Sequence, residues 1–386
     1  MIDRKKWACG FFLIISLALV SLSSLCKKPN DDNLEPTNVS NNSGNSENPS
    51  IAVDSKNTVH LVWNDDTPGN EEIFYAYKPA NGNWSTPINI SNNTHESRFP
   101  CIAVDNKDVI HLVWQDNSPD GYWRIFYSQK TEGGNWSVPE TITGNYMYVR
   151  PKIAIDDSCN VHLIWEYGGY YSGIRYAMRT LMGTWTPQLT VIEPIGIMDP
   201  SIAVDNQSNV HLTWYKFDYD SATSDIFYSM KTENGNWSQP ENISNTGQAL
   251  GTNSIVADNQ RNIHCVWGDM SLPYLTPRTF YREKRPDGTW TNPVTPSTLR
   301  KVWFTSELAV GPQNELYLAG GDSVRFLYIV KPQDQVFSDT NLVGVVNKIF
   351  ALWKLVCDNN GTLHLTWERD EEIFWISYNP NPRSKK

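Results

Sequence analysis

The sequence predicts an all-β fold, a seven-bladed β-propeller of four-stranded blades. Three observations predict it. A repeat of about fifty residues recurs seven times, each repeat holds four short strand patterns, and the last repeat lacks a strand that the N-terminal end of the chain can supply.

The repeat begins at each Ile-Ala-Val-Asp. Unit one has Ile51-Ala-Val-Asp54 and His60-Leu-Val-Trp63, and unit two has Ile102-Ala-Val-Asp105 and His111-Leu-Val-Trp114. Units three to five follow with Trp165, Trp214 and Trp267 at the same place, so that successive tryptophans lie 51, 51, 49 and 53 residues apart. Two degenerate units complete the set: Leu308-Ala-Val-Gly311 with Leu316-Tyr-Leu-Ala-Gly320, and Leu355-Val-Cys-Asp358 with Leu363-His-Leu-Thr-Trp367.

Within a unit, the Ile-Ala-Val strand comes first, and an Asp/Asn/Gly turn leads to the His-Leu-Val-Trp strand. A third strand carries Ile73-Phe-Tyr75, Ile125-Phe-Tyr127 or Ile226-Phe-Tyr228, and a Gly-containing turn precedes Trp84, Trp136 or Trp237 on the fourth. β-Branched and aromatic runs bounded by Gly, Asn, Asp and Pro are strand signals. Four strands per unit, seven times over, describe blades rather than a sandwich.

The last unit stops after Ile373-Phe-Trp-Ile-Ser377. Its missing strand lies at the other end of the chain, where Pro36-Thr-Asn-Val-Ser-Asn-Asn42 matches Pro87-Ile-Asn-Ile-Ser-Asn-Asn93 at an offset of 51. Residues 35–41 are therefore expected to form the outer strand of blade seven, which covers two open sheet edges.

The expected organisation is an export segment at 1–26, a linker at 27–34, the propeller at 35–380 and a polar tail at 381–386. Arg4, Lys5 and Lys6 precede an apolar run that ends at Cys26, the layout of a secretory signal. The segment resembles a bacterial lipoprotein signal, which implies lipidation of Cys26, although Leu25 stands where that family places a small residue. Ordinary cleavage and an uncleaved anchor are the alternatives. The chain is thus expected to be exported, in the cell envelope or secreted, and to touch membrane only through this anchor.

Composition narrows the function. The chain is 40% hydrophobic and 19% charged, with 16 Trp, 18 Tyr and a net charge of −10. An acidic surface argues against nucleic acid, which needs basic patches. Cys101, Cys159, Cys265 and Cys357 occupy unrelated repeat positions without CxxC spacing, so they read as isolated buried thiols, neither a zinc site nor a disulfide framework. No P-loop, dinucleotide glycine pattern or nucleophile elbow is present. The sequence implies no cofactor and no metal, and a monomer.

The turns Glu132-Gly-Gly-Asn-Trp136, Glu233-Asn-Gly-Asn-Trp237 and Pro286-Asp-Gly-Thr-Trp290 resemble the Asp-box (BNR) turns of sialidase-like propellers, about one residue shortened. The likeness covers residues 35–378. It implies the propeller fold, with glycines suited to positive φ, tryptophans buried between blades and these turns on the face away from an active site. An active sialidase of that family would need three convergent arginines, a Tyr–Glu nucleophile pair and an Asp acid–base. Arg98 and Arg150, each near a between-blade proline, are the candidate arginines, but the family's Phe-Arg-Ile-Pro motif is absent.

Six of the seven histidines share one repeat position (His60, His111, His162, His211, His264, His364). They are expected to be structural, one per blade and bonded to backbone, because metal ligands must converge on one ion. The Asp that ends each first strand is expected to form a turn. What varies between repeats is more informative. The segments 64–72, 115–124, 166–173, 215–225, 268–279 and 368–372 carry Asp65, Asp66, Asp116, Trp123, Glu166, Tyr167, Tyr170, Tyr171, Tyr215, Tyr219, Asp220 and Asp269. Aromatic faces beside carboxylates suit a sugar or a protein partner.

The expectation is an exported, non-catalytic propeller that binds glycan or protein through its second-to-third-strand loop face. The ligand candidates are Trp123, Arg98, Arg150, Glu166, Tyr167, Tyr170, Tyr171, Tyr215, Tyr219 and Asp220. A divergent sialidase-like exo-glycosidase and an architectural envelope lipoprotein are the alternatives.

Overall fold

The computed structural model describes residues 35–118, 120–144, 147–168, 173–193, 196–270, 278–296, 304–321, 325–333, 335–338, 341–345 and 353–380. Tyr170, Tyr171 and Cys26 lie outside them. The described elements are strands throughout, in seven antiparallel sheets, one per repeat.

Blade 1 is Ser46–Val53, Val59–Asp65, Glu72–Lys78 and Ile88–Asn89, each paired with the next in sequence. Blades 2 to 4 repeat that order, beginning with inner strands Ser97–Val104, Tyr148–Ile155 and Ile197–Val204. Blade 5 has three full strands, Ala249–Ala257, Ile263–Asp269 and Arg278–Lys284, and a fourth reduced to the antiparallel bridge of Tyr281 with Val294. Blade 6 (inner strand Phe304–Val310) has four, although Gly320 replaces its tryptophan. Each inner strand packs against the inner strand of the next blade, and that of blade 7 against that of blade 1, which closes the ring.

Blade 7 comprises Trp353–Cys357, Leu363–Arg369, Glu372–Tyr378 and, outermost, Thr37–Asn38 from the other end of the chain. Thr37 pairs with Trp375 and Asn38 with Phe374, and Val39 N–H donates to Ile373 C=O at 2.8 Å. Ile373 N–H donates to Ser40 Oγ at 2.9 Å, as Ile73 N–H does to Ser91 Oγ at 2.8 Å inside blade 1. Ser40 in turn bonds Glu372 as Ser91 bonds Glu72. The N-terminal strand thus reproduces, across the chain ends, the bonds that a continuous blade makes within itself.

The core lies between blades. Each of the seven apolar clusters joins two successive blades, including Val39, Leu61, Trp63 and Trp375 across the closure. Trp63, Trp114, Trp165, Trp214, Trp267 and Trp367 are the largest fully buried side chains. The outer-strand tryptophans meet the preceding blade edge-on: Trp136 on Tyr75 at 5.1 Å, Trp185 on Tyr127 at 5.4 Å and Trp84 on Trp375 at 5.5 Å. Edge-to-face pairs of this kind add to the area they bury, so the Asp-box-like tryptophans tie blades together.

The glycines of those turns act in two ways. Gly288 has φ +87°, but Gly235 does not take a positive φ; a Cβ there would collide with Thr232 Oγ1. The histidines are structural but bond side chains, not backbone. Nδ1 of His60, His162 and His211 lies 2.8–2.9 Å from the hydroxyl of Tyr75, Tyr176 or Tyr228, while Nε2 lies 3.3–3.4 Å from Asp54, Asp156 or Asp205. The tyrosine donates to Nδ1, which leaves the proton on Nε2 for the carboxylate. The same aspartates form the expected turns, Asp54 accepting from the N–H of Lys56 and Thr58. Cys101, Cys159, Cys265 and Cys357 are free, and only Cys159 and Cys265 are buried.

Candidate functional site

Xaa-Pro recurs in the first strands of units one to four: Asn48-Pro49, Phe99-Pro100, Arg150-Pro151 and Asp199-Pro200. In each the pairing register slips, and the residue before proline takes a left-handed φ of 53°, 52°, 51° and 50°. That conformation is uncommon outside glycine, and bulges of this kind re-aim side chains at the rim of a sheet. A clasp to the preceding blade holds each of the four, the Glu368 carboxylate taking the Asn48 N–H across the closure. The residue after each second-strand tryptophan reaches across, so that Asn64 Oδ1 accepts Phe99 N–H at 3.4 Å, Gln115 Oε1 accepts Arg150 N–H at 2.9 Å and Glu166 Oε1 accepts Asp199 N–H at 3.1 Å.

The bulges set out a row of unlike groups across blades 2 to 4. The Arg150 guanidinium lies 5.6 Å from the Phe99 ring centroid, with NH1 3.7 Å from Glu166 and 4.0 Å from Asp199. Glu166 is 3% exposed; burial pushes its carboxyl up to about 7, against the pull of Arg150. Arg98, beside Phe99, lies 5.6 Å from the Trp123 ring and pairs with Glu71 and, at 3.3 Å, with Glu96. Burial also raises Glu71, which Arg98 opposes.

Between blades 1 and 2, a cavity of about 440 Å³ opens over this row. It is lined by Asn48, Arg98 and Phe99 of the bulges and by Glu47, Glu71, Glu96, Asp66 and Asn70. Asn48 Nδ2 and Asn64 Oδ1 are 3.0 Å apart, and Asn64 Nδ2 donates to Glu71 at 2.9 Å, so Asn64 ties two of the lining side chains together from behind. The cavity offers carboxylate and amide oxygens beside the Phe99 side chain, a mixture that orients a hydroxyl-rich ligand.

Among the described residues, the sequence-derived candidates are spread over several elements. Glu166, Tyr167 and Tyr215 lie on second strands rather than in loops. Tyr167 is buried, with Arg175 over its ring at 4.6 Å and its hydroxyl on Glu193 at 3.3 Å. Tyr215 packs on the core between blades 4 and 5. Tyr219 and Asp220 sit at the tip of the long hairpin Val210–Asp218 and Thr223–Lys231, where Tyr219 packs edge-on against Phe217. Arg98 and Arg150 face separate carboxylates and do not converge. Asp65 and Asp116 are buried and saturated: Asp65 accepts from Ser46, Asn42, Trp63 and Thr67, and Asp116 from Ser97, Asn93, Trp114 and Ser118. Asp269 is buried likewise and bonds Thr246. Sequence reading missed the bulge row and its clasps, for which the repeated Xaa-Pro was the available signal.

This architecture is a seven-bladed β-propeller. No protein-family model matches the chain, and no curated protein matches it. Solved structures resemble it at low identity. A lectin from Burkholderia pseudomallei is 12% identical with a TM-score of 0.64, over 86% of this chain and 98% of that one. A polysaccharide lyase, an ulvan lyase, is 10% identical with a TM-score of 0.61, over 88% and 95%. A Hadza microbial sialidase is 10% identical with a TM-score of 0.50, over 84% and 77%. At these identities the likeness is one of fold.

Proposed function

We propose that this protein is an exported carbohydrate-binding propeller that takes a sugar in the cavity between blades 1 and 2. The observation that carries this reading is the cavity itself, lined by polar side chains beside Phe99, with Trp123 lying against Arg98. The carboxylates of Glu47 and Glu96 and the side-chain carbonyls of Asn48 and Asn70 supply acceptors for sugar hydroxyls, and the Phe99 ring supplies apolar surface for a pyranose. That a lectin, a polysaccharide lyase and a sialidase share the fold supports a glycan over a protein ligand. Export rests on the N-terminal segment, with Cys26 as the lipid attachment. Labelling of the cell-grown protein with palmitate, lost in Cys26→Ser, tests that part.

The test of the sugar site is a glycan array probed with the protein lacking residues 1–26. Specific retention is expected, and Arg98→Ala and Trp123→Ala should each weaken it tenfold or more, about 1.4 kcal/mol. A blank array, or affinity untouched by both substitutions, overturns the assignment.

A second reading, a divergent glycan-cleaving enzyme, is favoured by one observation. The Glu166 carboxyl, pushed up to about 7 chiefly by burial, stands beside Arg150 and accepts the Asp199 N–H, a raised carboxyl of the kind a general acid needs. Turnover of a retained glycan, lost in Glu166→Gln, would move the protein to that class.

A further inference from the structure

Below the bulge row, one register position recurs in every inner strand, opposite the residue before the second-strand tryptophan or its replacement. It is Ser50 in blade 1 and Cys101 in blade 2, paired with Val62 and Val113. In three blades it is charged: Lys152 opposite Ile164 in blade 3, Glu307 opposite Ala319 in blade 6 and Lys354 opposite Thr366 in blade 7. Because the inner strands ring the axis, these long side chains approach one another across it.

The charges are unevenly paired: Lys152 feels the carboxylates of Glu307 and Asp199 as well as Lys354, but its ammonium bonds none of them. Lys354 is ion-paired with Glu307, which also accepts the Ser254 hydroxyl at 3.1 Å. Lys152 has no ion pair and no hydrogen bond among the described residues. Its ammonium lies within electrostatic reach of Lys354, and both feel Asp199 at the mouth above. Arg150, two residues before Lys152 on the same strand, is engaged by Glu166 and Asp199. Burial and then Lys354 depress the Lys152 pKa, as befits a half-buried cation beside a like charge. Such a group is relieved by an anion placed between the two ammonium ions. Donors stand ready for one: both lysines, and the Ser50 hydroxyl, whose oxygen accepts Ile102 N–H at 3.2 Å and whose proton has no acceptor among the described residues. Lys354 keeps 32% of its side-chain surface exposed, so the tier is open to solvent.

We propose that the axial channel holds an oxyanion, a carboxylate, sulfate or phosphate group, clamped between Lys152 of blade 3 and Lys354 of blade 7. The group comes either from an inorganic ion or from an acidic sugar whose remaining atoms lie toward the mouth. This site is one tier beneath the cavity proposed for sugar and stands or falls separately. Arg98→Ala that loses sugar while keeping the anion response separates the two.

The experiment follows melting temperature against added sodium sulfate, sodium phosphate or sodium glucuronate, with sodium chloride holding ionic strength constant. Sulfate also stabilises proteins without binding, but that effect rises without saturation and ignores single side chains. The wild-type protein should therefore show a saturable rise of a few degrees, absent from Lys152→Gln and kept by Lys152→Arg. In chloride alone, Lys152→Gln should melt no lower than wild type, because it removes a cation with no partner; this shows the variant is folded. A response to sulfate or phosphate alone identifies an inorganic ion. A response to glucuronate, competed by sulfate, identifies a sugar carboxylate. No saturable response to any of the three, or one that persists in Lys152→Gln, overturns the site.

Discussion

At the scale of single residues, the same chemical group does opposite work in different places. Asp65 and Glu166 are both buried acids near a second-strand tryptophan, yet Asp65 is surrounded by donors and its pKa is lowered, while burial pushes Glu166 up to about 7. A folded-state pKa above the ordinary value means that Glu166 stabilises the fold fully below about pH 4.5, and that this contribution is lost as pH rises through 7. A shift from 4.5 to about 7 corresponds to roughly 3 kcal/mol. Glu166→Gln keeps an acceptor for Asp199 N–H and cannot ionise, so it should be more stable than wild type at pH 8 and nearly equal at pH 5, by urea denaturation. Asp65→Ala should cost several kcal/mol at any neutral pH, because Ser46, Asn42 and Trp63 lose their acceptor together. The sequence placed Asp65 and Asp116 in the variable loops because a Trp-x-Asp pattern at the end of a strand looks like the start of a loop. Which donors surround an acid depends on partners some twenty residues away, and no local pattern carries that.

At the scale of elements, the blades were legible because each strand repeats its own period-two pattern and its own turn residues, seven times over. The closure was legible because it is the same pattern displaced to the other end of the chain. The bulge row was not. A proline following Phe99 or Arg150 predicts extended backbone for the residue before it, and the left-handed φ is imposed by the clasp from the neighbouring blade. Closure has a direct consequence. Deleting residues 35–42 uncovers the edge of Glu372–Tyr378 and exposes Trp375, Ile373 and Trp63, which cluster with Val39. The loss should be roughly 2 kcal/mol or more and should appear as a clearly lower melting temperature. Ser40→Ala, which removes only the bond from Ile373 N–H and that to Glu372, should cost about 1 kcal/mol. Equal melting of the deletion variant and the intact protein would mean that Thr37–Asn38 contributes nothing to the ring.

At the scale of the whole molecule, two sets of buried acids and bases oppose each other, and together they set the pH of greatest stability. The first set is the His–Asp pair of the blades. Burial lowers His60 and His111, with Asp54 and Asp105 pulling the other way, so these histidines contribute stability that is present above about pH 6.5 and declines below it. Hydrogen bonds from His162 and Asn160 hold Asp156 well below the ordinary range despite burial, and Asp258 falls to about 2 with the same kind of partners. Their contribution is present above about pH 4 and lost as pH falls further. The second set is Glu71, Glu166 and Glu368, all raised chiefly by burial, whose contribution declines as pH rises from about 4.5. The ring couples these terms, because every apolar cluster is shared by two blades and one interface cannot open alone. Stability should therefore peak in mildly acidic solution and fall on both sides. Glu166→Gln should move the peak toward higher pH by removing a term from the alkaline side, while His111→Gln should flatten the acid side between pH 6.5 and 4. Melting curves from pH 4 to 9 decide it: a steady rise to pH 8 in the wild-type protein would show that the buried glutamates exert no cost on the folded ring.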